Sequence, residues 1–169
     1  FGIEQATQGR ITFRGEEVQF RSPIDAIQRG LGMVHQHFML VESMTVAENI
    51  VLGMEPTSGA FLSGRKVVEN AARIIEQYGF GIDPRARIED LPIGTRQKVE
   101  ILKALYRGAA LLILDEPTAV LTPQETVELF RELRSLKAAG HTIIFISHKL
   151  GEVKEICDRI TIMRGGRTV

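Results

Sequence analysis

Tryptophan is missing from this 169-residue chain, and cysteine occurs once, as Cys157. A single thiol excludes an intrachain disulfide. With no CxxC pair, the sequence offers neither a thiolate zinc cage nor a dithiol redox couple, and a reducing, cytosolic setting suits it best. Charge of one sign is not in excess, because 21 basic residues offset 21 acidic ones. A nucleic-acid binder neutralises phosphates with a basic surplus or stripe, so nucleic acid is not expected as a partner. Long hydrophobic runs are lacking too. The most apolar stretch, Ala109–Leu114, falls far short of the ~20 residues that a membrane-spanning helix needs, so any membrane link has to run through partners. Phe1–Arg10 contains no basic segment followed by an apolar block, so this stretch is not expected to be a signal peptide. No methionine opens the chain, which reads as one entered midway.

What is present is the balance of an ordinary globular protein, 44% apolar and 25% charged, at a length that supports one compact domain over residues 1–169. Arg10–Phe20 alternates apolar and polar residues around Arg14-Gly15-Glu16, the pattern of a hairpin. Leu31–His35 reads as a buried strand that delivers Gln36 at or just past its end. Thr45 with Glu48 has capping-box spacing and opens a helix whose Val46, Ile50 and Val51 share a face. Met54–Gly64 is rich in turn residues and is expected to be a loop leading into a helix. In that helix Val67, Ala71, Ile74, Ile75 and Tyr78 recur at helical spacing, and Gly79 and Gly81 end it.

A second helix is expected over about Thr95–Arg107, with Val99, Leu102 and Leu105 inward and Gly108 as its stop. Leu111–Leu114 reads as a strand covered on both faces, as in a parallel sheet. Thr122-Pro123-Gln124-Glu125 signals a helix start by cap, proline and capping box together, with the end at Gly140. Thr142–Ile146 is expected to be a further buried strand, Leu150–Cys157 a helix, and Arg159–Val169 a hairpin turning at Gly165-Gly166. Alternating strands and helices of this kind build a mainly parallel α/β sheet.

Chemistry enters at the strand ends. Asp115 and Glu116 follow four aliphatics, at the carboxyl edge where open α/β sheets bind ligands. In a nucleotide hydrolase such a pair divides labour: Asp115 holds magnesium, usually through water, and Glu116 orients the attacking water. Taken alone, the dipeptide is better read as a solvated acidic turn before Pro117. His148 leaves another aliphatic strand at the same edge, placed either to hydrogen-bond a γ-phosphate or simply to precede a helix. Gln36 ends a third strand, as a ligand for magnesium or water, or as an ordinary turn residue. His35 and His37 flank it, but no further histidine or cysteine lies near enough in sequence to complete a zinc site.

Together these signals are no longer independent. LPIGTRQKVEILKALYR (Leu91–Arg107), LLILDEPTAVL (Leu111–Leu121) and ISH (Ile146–His148), in that order and spacing, resemble the ABC transporter ATPases over essentially the whole chain. The resemblance implies a P-loop NTPase-type α/β fold with an inserted helical subdomain at about residues 38–107 and antiparallel hairpins at the edges. It implies ATP and Mg2+ as cofactors. Gln36 corresponds to the Q-loop, Leu91–Thr95 to the signature with Gly94 and Thr95 at the nucleotide, Asp115 and Glu116 to Walker B and the catalytic base, and His148 to the H-loop. The wording is most similar to the first ATPase half of tandem-domain importers for simple sugars and nucleosides. Implied partners are transmembrane permease subunits, a second ATPase domain and, indirectly, an external solute-binding protein, with the chain peripheral on the cytoplasmic face of the membrane. An ABC ATPase acting outside transport is the alternative, but the long coiled coils or basic extensions of that group do not occur here.

The sequence departs from the family pattern in two places. GxxxxGK[ST], whose amides and lysine grip phosphates, does not occur. Its nearest imitation, GAFLSGRK at Gly59–Lys66, reads as a loop entering a helix. A unit of about 30 residues in front of Phe1 is therefore expected, with Phe1-Gly2 as the tail of the Walker A helix and little affinity for ATP or magnesium in the fragment alone. The signature LPIGT carries Pro92, Ile93 and Thr95 where LSGGQ has serine, glycine and glutamine, and Thr122 stands where the D-loop often has aspartate. Both elements act on ATP held by the opposite domain, so two unequal sites are expected.

Overall fold

The computed structural model describes residues 1–58 and 61–169. Ile11–Phe13 (β1) and Glu16–Val18 (β2) form the expected antiparallel hairpin. Arg14 (φ 53) and Gly15 (φ 84) both take the left-handed conformation of a two-residue turn whose twist matches its strands. Pro23–Gln28 (α1) follows, capped by the Ser22 hydroxyl, which accepts the Asp25 amide. Periodicity does not announce this helix, since one and a half turns bury only Ala26; its signal is Ser22 followed by Pro23. Leu31–Val34 (β3) ends one residue short of the expected His35.

Thr45 and Glu48 close a reciprocal capping box on Val46–Val51 (α2). Inside the stretch read as a loop, Thr57–Ser58 (β4) and Phe61–Leu62 (β5) pair antiparallel, while Gly59 and Ala60 of the GAFLSGRK segment lie outside the described residues. Gly64–Tyr78 (α3) then starts under the Ser63 cap and ends at a left-handed Gly79. Ile93–Tyr106 (α4) begins two residues before the expected Thr95, because Pro92 already serves as its cap. Leu111–Asp115 (β6), Pro123–Ala138 (α5), Thr142–Ile146 (β7) and Leu150–Ile156 (α6) follow, with Met163–Arg164 (β8) and Arg167–Thr168 (β9) as the last hairpin.

The central sheet is parallel in the order β3-β6-β7, and the hairpins stand as separate pairs. Leu112 and Leu114 of β6 and Val34 of β3 are fully buried against Val99, Ile101 and Leu102 of α4 and Leu129, Phe130 and Leu133 of α5. Close approach at β3 depends on Gly32, where a Cβ would lie 2.7 Å from the Ala109 methyl and 2.9 Å from that of Ala104. Two burial expectations are corrected. The second face of β6, Leu111 and Ile113, is only half-buried. In β7 the apolar run has one covered face, where Phe145 meets Phe130 edge-on at 5.8 Å, and one open face with Ile144 and Ile146 at 45% and 44% exposure. A run of aliphatics gives no alternation from which to tell an inner strand from the last one of the described sheet.

Leu102→Ala should therefore cost about 2–5 kcal/mol in urea unfolding of the protein. Ile144→Ala, on the open face, should cost less than about 1 kcal/mol.

Candidate active site

The parallel ladder between β6 and β7 pairs Asp115 with Ile146 and continues one step further, through the Glu116 amide donating to the Ile146 carbonyl at 3.0 Å. The chain then turns at Glu116 itself, with φ 46. A side chain in the left-handed region costs about 1–2 kcal/mol, and such residues gather where function demands the geometry. Here the turn brings the carboxylate to the loop leaving β7. His148 Nδ1 lies 3.0 Å from Glu116 Oε1, with the glutamate side chain 29% and the histidine 71% exposed. An ionised carboxylate only accepts, so the shared proton sits on Nδ1 and Nε2 remains for a further partner.

Register brings the other two candidates to the same edge. Val34 pairs with Leu114 at the end of the ladder, and Gln36, exposed, follows two residues on. Gln36, Asp115-Glu116 and His148 thus lie at or just past the carboxyl ends of three adjacent parallel strands, and of these residues Glu116 and His148 are in contact. Among the described residues no three His, Cys, Asp or Glu side chains gather as a metal cluster, so His35 and His37 gain no third ligand for zinc. One carboxylate and one amide oxygen, from Asp115 and Gln36, fit magnesium, which keeps several waters and takes other ligands from substrate phosphates.

Gly94 and Thr95 sit elsewhere, in the first turn of α4. Their amides donate to Glu125 Oε1 at 3.1 Å and to the Pro92 carbonyl at 3.0 Å, respectively. A carboxylate of the same chain thus meets the N-terminus of this helix. The fit is close, since a Cβ on Gly94 would lie 2.7 Å from Glu125 Oε1. The other oxygen, Oε2, closes the α5 capping box on the Thr122 amide and hydroxyl, both at 2.9 Å. The Thr122 bonds, and secondarily the Gly94 bond, hold the Glu125 carboxyl below the usual glutamate range. The capping box is legible in sequence, but its reach to Gly94, 31 residues away, is not.

The segment after Gln36 is tied down by its backbone. Glu100 of α4 accepts the Met39 amide, and Lys103, one turn on, donates to the Met39 carbonyl at 2.9 Å. Burial pushes the Glu100 carboxyl up. Asn49 of α2 accepts the Val41 amide at 2.8 Å and donates to its carbonyl at 3.0 Å.

The structure is thus an α/β architecture whose parallel sheet carries two carboxylates and a Glu–His contact at the carboxyl ends of its strands. The family described as ABC transporter matches residues 1–119. This chain is 45% identical over 168 residues to the nucleoside import ATP-binding protein NupA of Lactococcus lactis, covering 99% of this chain and 33% of that protein. Identity is 48% over 169 residues with the guanosine import ATP-binding protein NupO of Bacillus subtilis, covering 100% of this chain and 33% of the relative. The galactose/methyl galactoside import ATP-binding protein MglA of Salmonella typhimurium is 41% identical over 169 residues, again covering 100% of this chain and 33% of the relative. A solved ATP-binding cassette of an ABC transporter in its ADP conformation superimposes with a TM-score of 0.84 at 25% identity, covering 99% of this chain and 70% of that one. The chain belongs to the ABC transporter family and spans about a third of the length of the curated relatives it matches.

Glu125 and Glu48 are both depressed by the hydrogen bonds of their caps, so the stability they add is complete above the ordinary glutamate range and is lost as pH falls through their lowered values. Glu125→Gln should accordingly flatten the fall of the urea midpoint between about pH 5 and pH 3, relative to the unsubstituted protein.

Proposed function

We propose that this chain supplies the water-activating edge of an ATP hydrolysis site in an ABC importer for a simple sugar or a nucleoside. The observation that carries the reading is the 3.0 Å contact between His148 and Glu116, one residue beyond Asp115, at the end of β6. In this scheme the Glu116 carboxylate accepts a hydrogen bond from the attacking water and holds it in line with the γ-phosphate. His148 keeps that carboxylate oriented through Nδ1–H and offers Nε2 toward the phosphate. Nε2 donates there only when the ring is imidazolium, because Nδ1 already carries the single proton of the neutral form. Asp115 and Gln36 would hold magnesium, which would supply positive charge to offset the charge developing on the phosphate.

The relatives act in nucleoside, guanosine and galactose/methyl galactoside import, which supports the reading of an importer for cargo of this class. The partners proposed are transmembrane permease subunits, a second ATPase domain and, indirectly, an external solute-binding protein. Among the described residues no helix is long and apolar enough to cross a membrane, so the bilayer contact is assigned to the permease. Within the helical subdomain of residues 38–107, the segment from Phe38 to about Gly81 is assigned as the part that docks there. The clamp of Glu100 and Lys103 on Met39 supports this, since it makes the segment after Gln36 move with α4. Pro92, Ile93, Thr95 and Thr122 would face ATP held by the second domain, giving two unequal sites.

In the full-length protein assembled with its permease, Glu116→Gln should reduce hydrolysis at its own site by about 100-fold or more while ATP binding is kept. Hydrolysis that continues undiminished would rule the scheme out. Phe38→Asp should uncouple ATP hydrolysis from cargo uptake in vesicles and leave nucleotide affinity unchanged; a matching loss of nucleotide affinity would place Phe38 in the ATP site instead.

A further inference from the structure

We propose that Glu152 is the positioning residue of the Glu116–His148 pair. It lies in the first turn of α6, with a side chain only 15% exposed, and it touches both loops that carry the pair. Its Oε2 accepts the Thr118 hydroxyl, two residues after Glu116, and the Ser147 hydroxyl at 3.3 Å, one residue before His148. Its Oε1 is 3.0 Å from Lys149 Nζ, one residue after His148. The circuit closes on itself: Lys149 Nζ donates to the Thr118 carbonyl at 3.1 Å, and the Lys149 amide donates to Ser147 Oγ at 3.1 Å. Thr118 is 1% exposed, so its hydroxyl has no ready exchange with solvent.

The need for such a residue follows from exposure. His148 is 71% exposed, so packing does little to hold it, whereas the residues on either side of it are both bound to one carboxylate. A carboxylate suits the position because all three groups around it donate and it only accepts; an amide would turn its NH2 toward one of those donors. A bare helix-capping role would look different. In a capping box the carboxylate at this position returns to the amide of the cap residue, but the Lys149 amide is taken by Ser147 and Glu152 reaches across to the other loop.

This role rests on the hydrolytic reading of Glu116 and His148, and the test separates the two. ATPase kinetics and thermal unfolding are measured on the full-length protein with its permease for Glu152→Ala, Glu152→Gln, His148→Ala and the two double variants. Glu152→Ala should lower kcat about tenfold or more with KM for ATP within about twofold. Combined with His148→Ala it should add no further loss, because it acts through that ring. Glu152→Gln, which keeps size and one acceptor, should show a smaller loss with the same dependence on His148, and it carries the test should the alanine variant fail to assemble. Losses that multiply in the double variants, or a lowered Tm with unchanged kcat, would make Glu152 an anchor of α6 only and overturn the proposal. An unchanged kcat in His148→Ala would overturn the hydrolytic reading, and the positioning role with it.

Discussion

Everything at the carboxyl edge of the sheet depends on the register of β6 between β3 and β7. Strand side chains alternate with a period of two, so a slip of one residue on either side would turn Leu112 and Leu114 out of the core. The same slip would separate Gln36 and His148 from the carboxylates. Burial of those two leucines against α4 and α5 is what makes such a slip costly. Hydrophobic packing below the edge thus holds the polar geometry above it. The extra ladder bond from Glu116 to Ile146 carries this register one residue beyond the strand, to the point where the chain turns left-handed.

Beyond that edge, carboxylates act as ties between segments far apart in sequence. Glu100 fixes the Met39 amide, Glu125 joins the first turns of α4 and α5, and Glu152 gathers the loops after β6 and β7. Each accepts backbone or side-chain donors that would otherwise lie partly buried without a partner. The ties differ in their electrostatics. Glu125, near the surface and accepting several bonds, is held low, whereas burial pushes Glu100 up against the pull of Lys103.

Legibility followed the range of the interaction. Thr45/Glu48 and Thr122/Glu125 announce their helices because a capping box is complete within four residues, and both boxes form as read. The spacing of Val67, Ala71, Ile74 and Ile75 is likewise local, and all four are buried. α1 escaped because its helical signal is a cap and a proline without periodicity. Ile144 and Ile146 were misjudged because hydrophobicity reports what a residue tolerates, and their exposure depends on what stands beside β7. At the site, residue types and strand ends marked Gln36, Asp115, Glu116 and His148, whereas the bond that joins Gly94 to Glu125 needed coordinates.

From the order of residues alone came the alternation of strands and helices, the helix caps and the choice of chemically able side chains, all set by contacts within a few residues. Only the tertiary structure decided that Glu116 meets His148, that Glu125 covers the amide of Gly94, and that Glu152 binds both loops. Those contacts join residues about thirty apart, and their existence depends on strand register and helix packing, which no local pattern encodes.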